Sequence, residues 1–238
     1  MNSLIGILGV VALLLLVGTV VGVAGPKAFS PKWLLVGAGL VVVNDFLLTR
    51  GYGLLPRLLP ATEWNWQGKL LALCASLIIA SLPLFGWRRS GLTLAQAKGS
   101  LRSCIPIALT YCLFFMVLAH FIPSEPASAE TIAFQLTMPG IEEETFYRGV
   151  LLLALDRAFT GRVRVLGTDW GWGAVLSCAL FGLAHAFGFS EGRFSLDPLT
   201  MALTALPSFI GVWLRLRTGS ILLPILLHNF GNSITLFL

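Results

Sequence analysis

The chain has 238 residues, of which 56% are hydrophobic and only 11% charged, whereas a soluble domain carries about 25% charged residues. This composition excludes a soluble globular enzyme and predicts an all-α, polytopic integral membrane protein whose partner is the lipid bilayer, built as one membrane domain over residues 1–238. The net charge of +5 does not mark a nucleic-acid binder, because Lys and Arg stand singly or in pairs between apolar runs, where they anchor loops at a membrane surface.

A membrane span needs about 20 predominantly apolar residues, and the sequence predicts about eight. The first, Leu4 to Val23, lacks a basic leading segment and an A-x-A site, so it reads as a retained span. The next three are Trp33 to Leu48, Leu70 to Phe85 and Ile105 to Ile122, which place the N-terminal helices over about residues 4–122. The fifth starts near Pro139 and ends near Phe159; Trp172 to Phe187, Leu199 to Leu214 and Ser220 to Leu238 follow. Pro207 and Pro224 are expected to kink the seventh and eighth spans. The seven tryptophans fall at or near span ends, where amphipathic rings settle. Cys74, Cys104, Cys112 and Cys178 lie inside apolar runs without CxxC spacing and read as small buried hydrophobes rather than a disulfide framework or zinc ribbon.

Orientation follows from the basic residues. The loops after the first, third, fifth and seventh spans hold eleven Lys and Arg, and the opposite side holds four, Arg50, Arg57, Lys69 and Arg193. This bias predicts both termini outside the cytoplasm. The loop Pro123 to Thr131, with Glu125, Glu130 and no base, is expected on that outer face, and Gly188 to Asp197 forms an outer lip.

One stretch breaks the apolar pattern: Glu142, Glu143 and Glu144, followed by Arg148, in a chain with only 11 acidic residues. Ionisable groups that persist in a membrane face a protein interior or a wet cavity. Thr137 to Gly140 reads as a helix start, with proline in the first turn. Glu144 and Arg148, four apart, share a face and can pair, while Glu143 lies about 100° round the helix and points elsewhere. A carboxylate in a poorly solvated cavity gains proton affinity and makes a usable general base. Glu142, nearest the helix start, is expected to be solvated and favoured by the helix dipole. Asn44 and Asp45 inside the second span read as interhelical hydrogen-bonding groups, and His120 as an interfacial residue.

Two further segments carry histidine. Phe181 to His185 ends the sixth span, and His228 to Asn232, four apart on one helical face, lies within the eighth. With spans alternating in direction, Glu143 and His185 both come near the outer face and His228 lies near mid-membrane. Two chemistries fit. In one, Glu143 and His185 hold and deprotonate a water while His228 and Asn232 stabilise the oxyanion, with no cofactor. In the other, Glu143, His185 and His228 ligate zinc or another divalent metal that lowers the pKa of its water; the helical H-E-x-x-H pattern is absent.

Together the segments Glu143 to Arg148, Phe181 to His185 and His228 to Asn232, in that order, resemble the CPBP or Abi family of CAAX prenyl endopeptidases and bacteriocin-processing or immunity proteases, whose pattern is EExxxR, FxxxH and HxxxN. The resemblance covers a catalytic core of about residues 139–238, with Arg88 to Thr93 weakly similar as well. It implies an intramembrane endopeptidase of the glutamic type, once classed with metalloproteases, acting on a membrane-anchored protein near its C-terminus. It also implies Glu143 as general base, His185 as its partner on the water, His228 and Asn232 as oxyanion stabilisers, and Glu144 and Arg148 as supporting residues. The prenyl-protein branch opens to the cytosol, whereas the charge bias here turns the site outward. The expectation is therefore a protein of the bacterial inner membrane that removes a C-terminal sorting signal on the extracytoplasmic side. The alternatives are a CAAX prenyl-protein endopeptidase, a zinc-dependent variant, and a non-catalytic immunity or scaffold protein. A transporter is disfavoured because no repeat halves are visible.

Overall fold

A computed structural model describes residues 2–59, 61–121 and 126–238. The chain is an all-α membrane protein. In order it forms α1 (Asn2–Ala24), α2 (Pro31–Thr49), α3 (Trp66–Ser81), α4 (Leu101–His120), α5 (Ala129–Gln135), α6 (Met138–Glu144), a π-helical segment (Thr145–Leu151), α7 (Leu152–Ala158), α8 (Trp172–Ala186), α9 (Pro198–Thr218) and α10 (Leu222–Ser233). Four of these, α1, α2, α4 and α9, are long and apolar enough to cross a membrane; α3 and α8 are shorter apolar helices. The segments from Met138 to Ala158 follow one another without an intervening loop.

The apolar runs become helices because a chain in lipid must satisfy its own backbone, and a helix does so within one segment. Small residues let the helices approach. The buried face of α1 recurs every four residues, at Gly6, Val10, Leu14, Gly18 and Gly22. A side chain at Gly18 would run into Leu34 of α2, and one at Gly22 into Phe29. The largest core cluster joins α1, α2, α7 and α8 through Leu14, Leu34, Val41, Leu151, Leu155 and Phe181. A smaller one joins α4, α9 and α10 through Cys104, Leu214 and Leu227. In α4 only Cys104 and Ala119 are buried, so this helix stands at the edge of the bundle.

Helix ends follow local chemistry. Asp197 caps α9 by accepting from the amides of Leu199 and Thr200, and the Thr200 hydroxyl and amide hold its carboxyl below the usual range. Gly219, in the left-handed region at φ 75°, ends α9. The Arg88 to Thr93 loop packs beneath the site. The Gly91 carbonyl accepts from Ile221 N–H at 3.0 Å, Arg215 donates to the Arg89 carbonyl at 2.7 Å, and a side chain at Gly149 would come 3.1 Å from the Ser90 carbonyl.

Several expectations are corrected. The third helix begins four residues earlier than predicted, at Trp66, and Asn65 caps it. The last apolar run is α-helical only from Leu222 to Ser233, so Pro224 lies in a first turn, where its missing N–H removes no helical bond, rather than at a kink. Pro207 does lie inside α9. Cys74 is exposed. Ile122 and residues Pro123 to Glu125 of the proposed outer loop lie outside the described residues; the rest of that loop runs into α5. Two β-hairpins were not foreseen, β1–β2 (Val163–Val165, Thr168–Trp170) and β3–β4 (Phe187–Ser190, Arg193–Leu196). Both turn on a residue pair with positive φ, Leu166–Gly167 and Glu191–Gly192, as two-residue hairpins require. The second hairpin forms the stretch expected as a lip and leans on α1, where a side chain at Gly9 would strike Phe187 and Phe194.

Candidate active site

The three carboxylates of α6 fan out around the helix at about 100° per residue, and each meets a different element. Glu142 faces α3, where its Oε2 lies 2.7 Å from Lys69 Nζ; Asn44, buried in α2, lies beside it. Glu142 is 0% exposed. The expectation of a solvated residue is therefore corrected: the helix start is covered by α3, and the buried charge is met by a cation instead of water. Glu144 faces the other way, with its Oε2 3.2 Å from Arg148 Nε and its Oε1 2.8 Å from His228 Nδ1. Arg148 is 2% exposed; it donates to Ser208 Oγ of α9 at 2.9 Å and stacks its guanidinium 4.3 Å from the Phe181 ring.

Glu143 lies between these two and points into a cavity. Lys69 Nζ approaches its Oε1 at 2.6 Å. Its Oε2 is buried and has no hydrogen-bond partner, yet two imidazole nitrogens face it, His185 Nε2 at 3.8 Å and His228 Nε2 at 3.7 Å. Both distances exceed a hydrogen bond. The tautomers explain why. His185 Nδ1 lies 2.8 Å from the Phe181 carbonyl, an acceptor, so the proton sits on Nδ1 and Nε2 of the neutral ring presents a lone pair. Glu144 imposes the same on a neutral His228. Oε2 and the two Nε2 atoms are then all acceptors, and a proton donor between them satisfies the group.

The π-helical segment directly follows the carboxylates. Such segments occur often at functional sites, and here Ser177 of α8 donates to the Tyr147 carbonyl at 2.9 Å, satisfying a backbone acceptor within it.

The four candidate catalytic residues, Glu143, His185, His228 and Asn232, and the supporting pair Glu144 and Arg148 all line one cavity of about 230 Å³. Tyr111 and Phe115 of α4 and Pro207 of α9 complete its wall. A second, apolar cavity of about 1000 Å³ adjoins it between α4 and α9. α6 and α10 are held together by Asn229, whose Oδ1 accepts from Gly140 N–H at 2.7 Å. A Cβ at Gly140 would come 2.4 Å from Asn229 Oδ1 and 2.7 Å from the Ile225 carbonyl. Gly140→Ala is accordingly expected to push α10 off α6 and lower the unfolding temperature in detergent, with a cost of about 1–3 kcal/mol for overpacking; an unchanged temperature would show that the two helices separate freely.

The donor atoms of Glu143, His185 and His228 are of a type that zinc accepts. Among the described residues, however, no group of three His, Cys, Asp or Glu side chains is placed to hold a metal ion, and the Lys69 ammonium already engages one Glu143 oxygen.

Sequence reasoning missed Lys69, Asn229 and Ser208. Lys69 was counted as a loop base; its position at the head of an apolar helix, opposite an acidic cluster in a chain with few acids, was the available signal. His120 is exposed at the end of α4 and takes no part in the cavity.

Residues 125–234 match the family model described as type II CAAX prenyl endopeptidase Rce1-like. No curated protein and no solved structure matches the chain.

Proposed function

We propose that the chain, whose residues 125–234 match the Rce1-like type II CAAX prenyl endopeptidase model, is a member of that family and hydrolyses a peptide bond near the C-terminus of a membrane-anchored protein with water activated by Glu143. The observation that carries this reading is the convergence of His185 Nε2 and His228 Nε2, at 3.8 and 3.7 Å, on the buried, unpartnered Oε2 of Glu143. A water in that space donates one proton to Glu143 Oε2 and the other to His185 Nε2, leaving a lone pair free to attack.

In the reaction the water oxygen forms a bond to the scissile carbonyl carbon as its proton passes to Glu143. The carbonyl oxygen becomes an oxyanion, which Asn232 stabilises by donating a hydrogen bond, joined by His228 Nε2–H where that ring already carries a proton on both nitrogens before the water reacts. The C–N bond then breaks as Glu143 returns the proton to the leaving nitrogen, giving a carboxylic acid and an amine, which become a carboxylate and an ammonium as the acid proton passes to the amine. Glu144 serves both halves of the site: it orients His228 through Nδ1 and is itself held by Arg148. Lys69 supplies a fixed positive charge beside the base. Chelation therefore leaves activity unchanged in this account, and loss of turnover on exhaustive chelation, restored by one divalent metal, would contradict it.

The eleven-to-four bias of basic residues supports an extracytoplasmic site in a bacterial inner membrane and, with it, removal of a C-terminal sorting signal from exported proteins. Cysteine accessibility at residues 126–131 tests the orientation; labelling from the cytoplasmic side would reverse it. Substrates are tested by mass spectrometry of protein C-termini in cells with and without the active protein. Exported, membrane-anchored proteins are expected to gain a longer C-terminus on inactivation, and an unchanged set of C-termini would overturn the assignment. The apolar cavity beside the site favours a second reading, a prenylated substrate whose lipid lies there; it predicts that a prenylated peptide is cut faster than its unmodified form.

A further inference from the structure

We propose that Tyr111 is a further catalytic residue: its hydroxyl donates a hydrogen bond to the scissile carbonyl oxygen as that oxygen becomes an oxyanion. The proposal deepens, and rests on, the hydrolytic reading above.

Three observations carry it. Tyr111 lines both cavities, and of the five residues they share, Tyr111, Phe115, Leu203, Pro207 and Ile210, it is the one with a polar side chain. A substrate segment passing from the apolar cavity to Glu143 meets this hydroxyl. α10 also makes room for it. Gly231 stands one residue before Asn232 and three after His228, and a Cβ there would come 3.0 Å from Tyr111 Oη and 3.5 Å from the Phe115 ring. The Tyr111 ring is braced against Phe115, with centroids 4.6 Å apart, so the hydroxyl is held at that opening in a half-buried position.

The third observation concerns the supply of donors. His228 spends Nδ1–H on Glu144 Oε1 at 2.8 Å. It can offer Nε2–H to an oxyanion only when doubly protonated, because the neutral ring turns a lone pair that way. Of the α10 residues that line the cavity, Pro224, Leu227, His228 and Asn232, Asn232 is then the one donor independent of protonation. A phenol keeps its proton across the neutral range and adds a donor that does not depend on the state of His228. It undergoes no covalent change: it donates in the transition state and retains its proton as the C–N bond breaks.

The test is Tyr111→Phe in the full-length protein, assayed on a membrane-anchored peptide beside wild type and Glu143→Gln. Loss of one oxyanion donor costs about 10²–10³-fold in kcat, and a fall of that order is expected with KM within about twofold and an unchanged unfolding temperature, since the ring and its contact with Phe115 remain. Wild-type kcat in Tyr111→Phe, or a loss expressed wholly in KM, overturns the proposal. Should that variant fold poorly, Gly231→Ala keeps the tyrosine and displaces its hydroxyl. A lowered kcat in the folded protein then supports the role, and an unchanged kcat overturns it. Activity in Glu143→Gln would remove the hydrolytic reading itself; inactivity there beside full activity in Tyr111→Phe would remove only the role of Tyr111.

Discussion

Glu143→Gln is expected to lower hydrolysis by about 10²–10⁴-fold, the range that a positioned general base contributes, while the protein still folds. The substitution is nearly isosteric. Its amide oxygen can still accept from Lys69, which keeps its second partner, Glu142, at 2.7 Å. What disappears is the unpartnered Oε2 that faces His185 and His228; Glu144, the other carboxylate lining the cavity among the described residues, is already committed to Arg148 and to His228 Nδ1. Turnover and unfolding temperature, measured on the same preparation, separate the outcomes. Lost activity in a stable protein fits the general-base role, and an unstable variant would instead assign Glu143 to the fold.

The second large effect is expected at Lys69. One ammonium meets a buried carboxylate, Glu142 at 2.7 Å, and a partly buried one, Glu143 at 2.6 Å. Removing one partner of a buried pair leaves uncompensated charge and costs about 3–5 kcal/mol. Lys69→Met is therefore expected to lower the unfolding temperature sharply and to abolish turnover. Adding Glu142→Gln removes the wholly buried orphan carboxylate, so the double variant should regain stability without regaining activity, because Glu143 still lacks its fixed cation. Thermal unfolding of the single and double variants in detergent checks this. A Lys69→Met protein as stable as wild type would show that the two carboxylates find other compensation.

Much of this arrangement is legible in the sequence, for physical reasons. Apolar runs such as Leu4 to Val23 have a single solution in lipid, so α1 (Asn2–Ala24) matches its run closely. The spacing of Glu144 and Arg148 fixes a shared face, and the structure pairs them at 3.2 Å. Alternating helix direction was enough to expect Glu143 and His185 near one face with His228 toward mid-membrane, and one cavity collects all three. Periodicity, however, names a face and not what covers it. Nothing local in Glu142 reveals that α3 lies over it, since Lys69 is more than seventy residues away in the chain; a first-turn glutamate is equally compatible with water. The same holds for Asn229, whose partner Gly140 is nearly ninety residues distant. The hairpins were hidden for a different reason. Strands of three or four residues are too short for alternation to register, and their turns rest on Leu166 and Glu191 at positive φ, residues that do not advertise a turn. The π-helical segment left no mark either, because the i to i+4 spacing of Glu144 and Arg148 reads as ordinary α-helix through its seven residues.

The most direct test of the account is hydrolysis by the purified protein. A C-terminally membrane-anchored polypeptide is incubated with wild type and with Glu143→Gln, each with and without chelator, and the products are weighed by mass spectrometry. The account predicts two fragments from a single peptide bond, one water heavier in sum than the substrate, formed by wild type in the presence of chelator and not by the variant. Equal cleavage by Glu143→Gln, or fragments that vanish on chelation and return with metal, would contradict it.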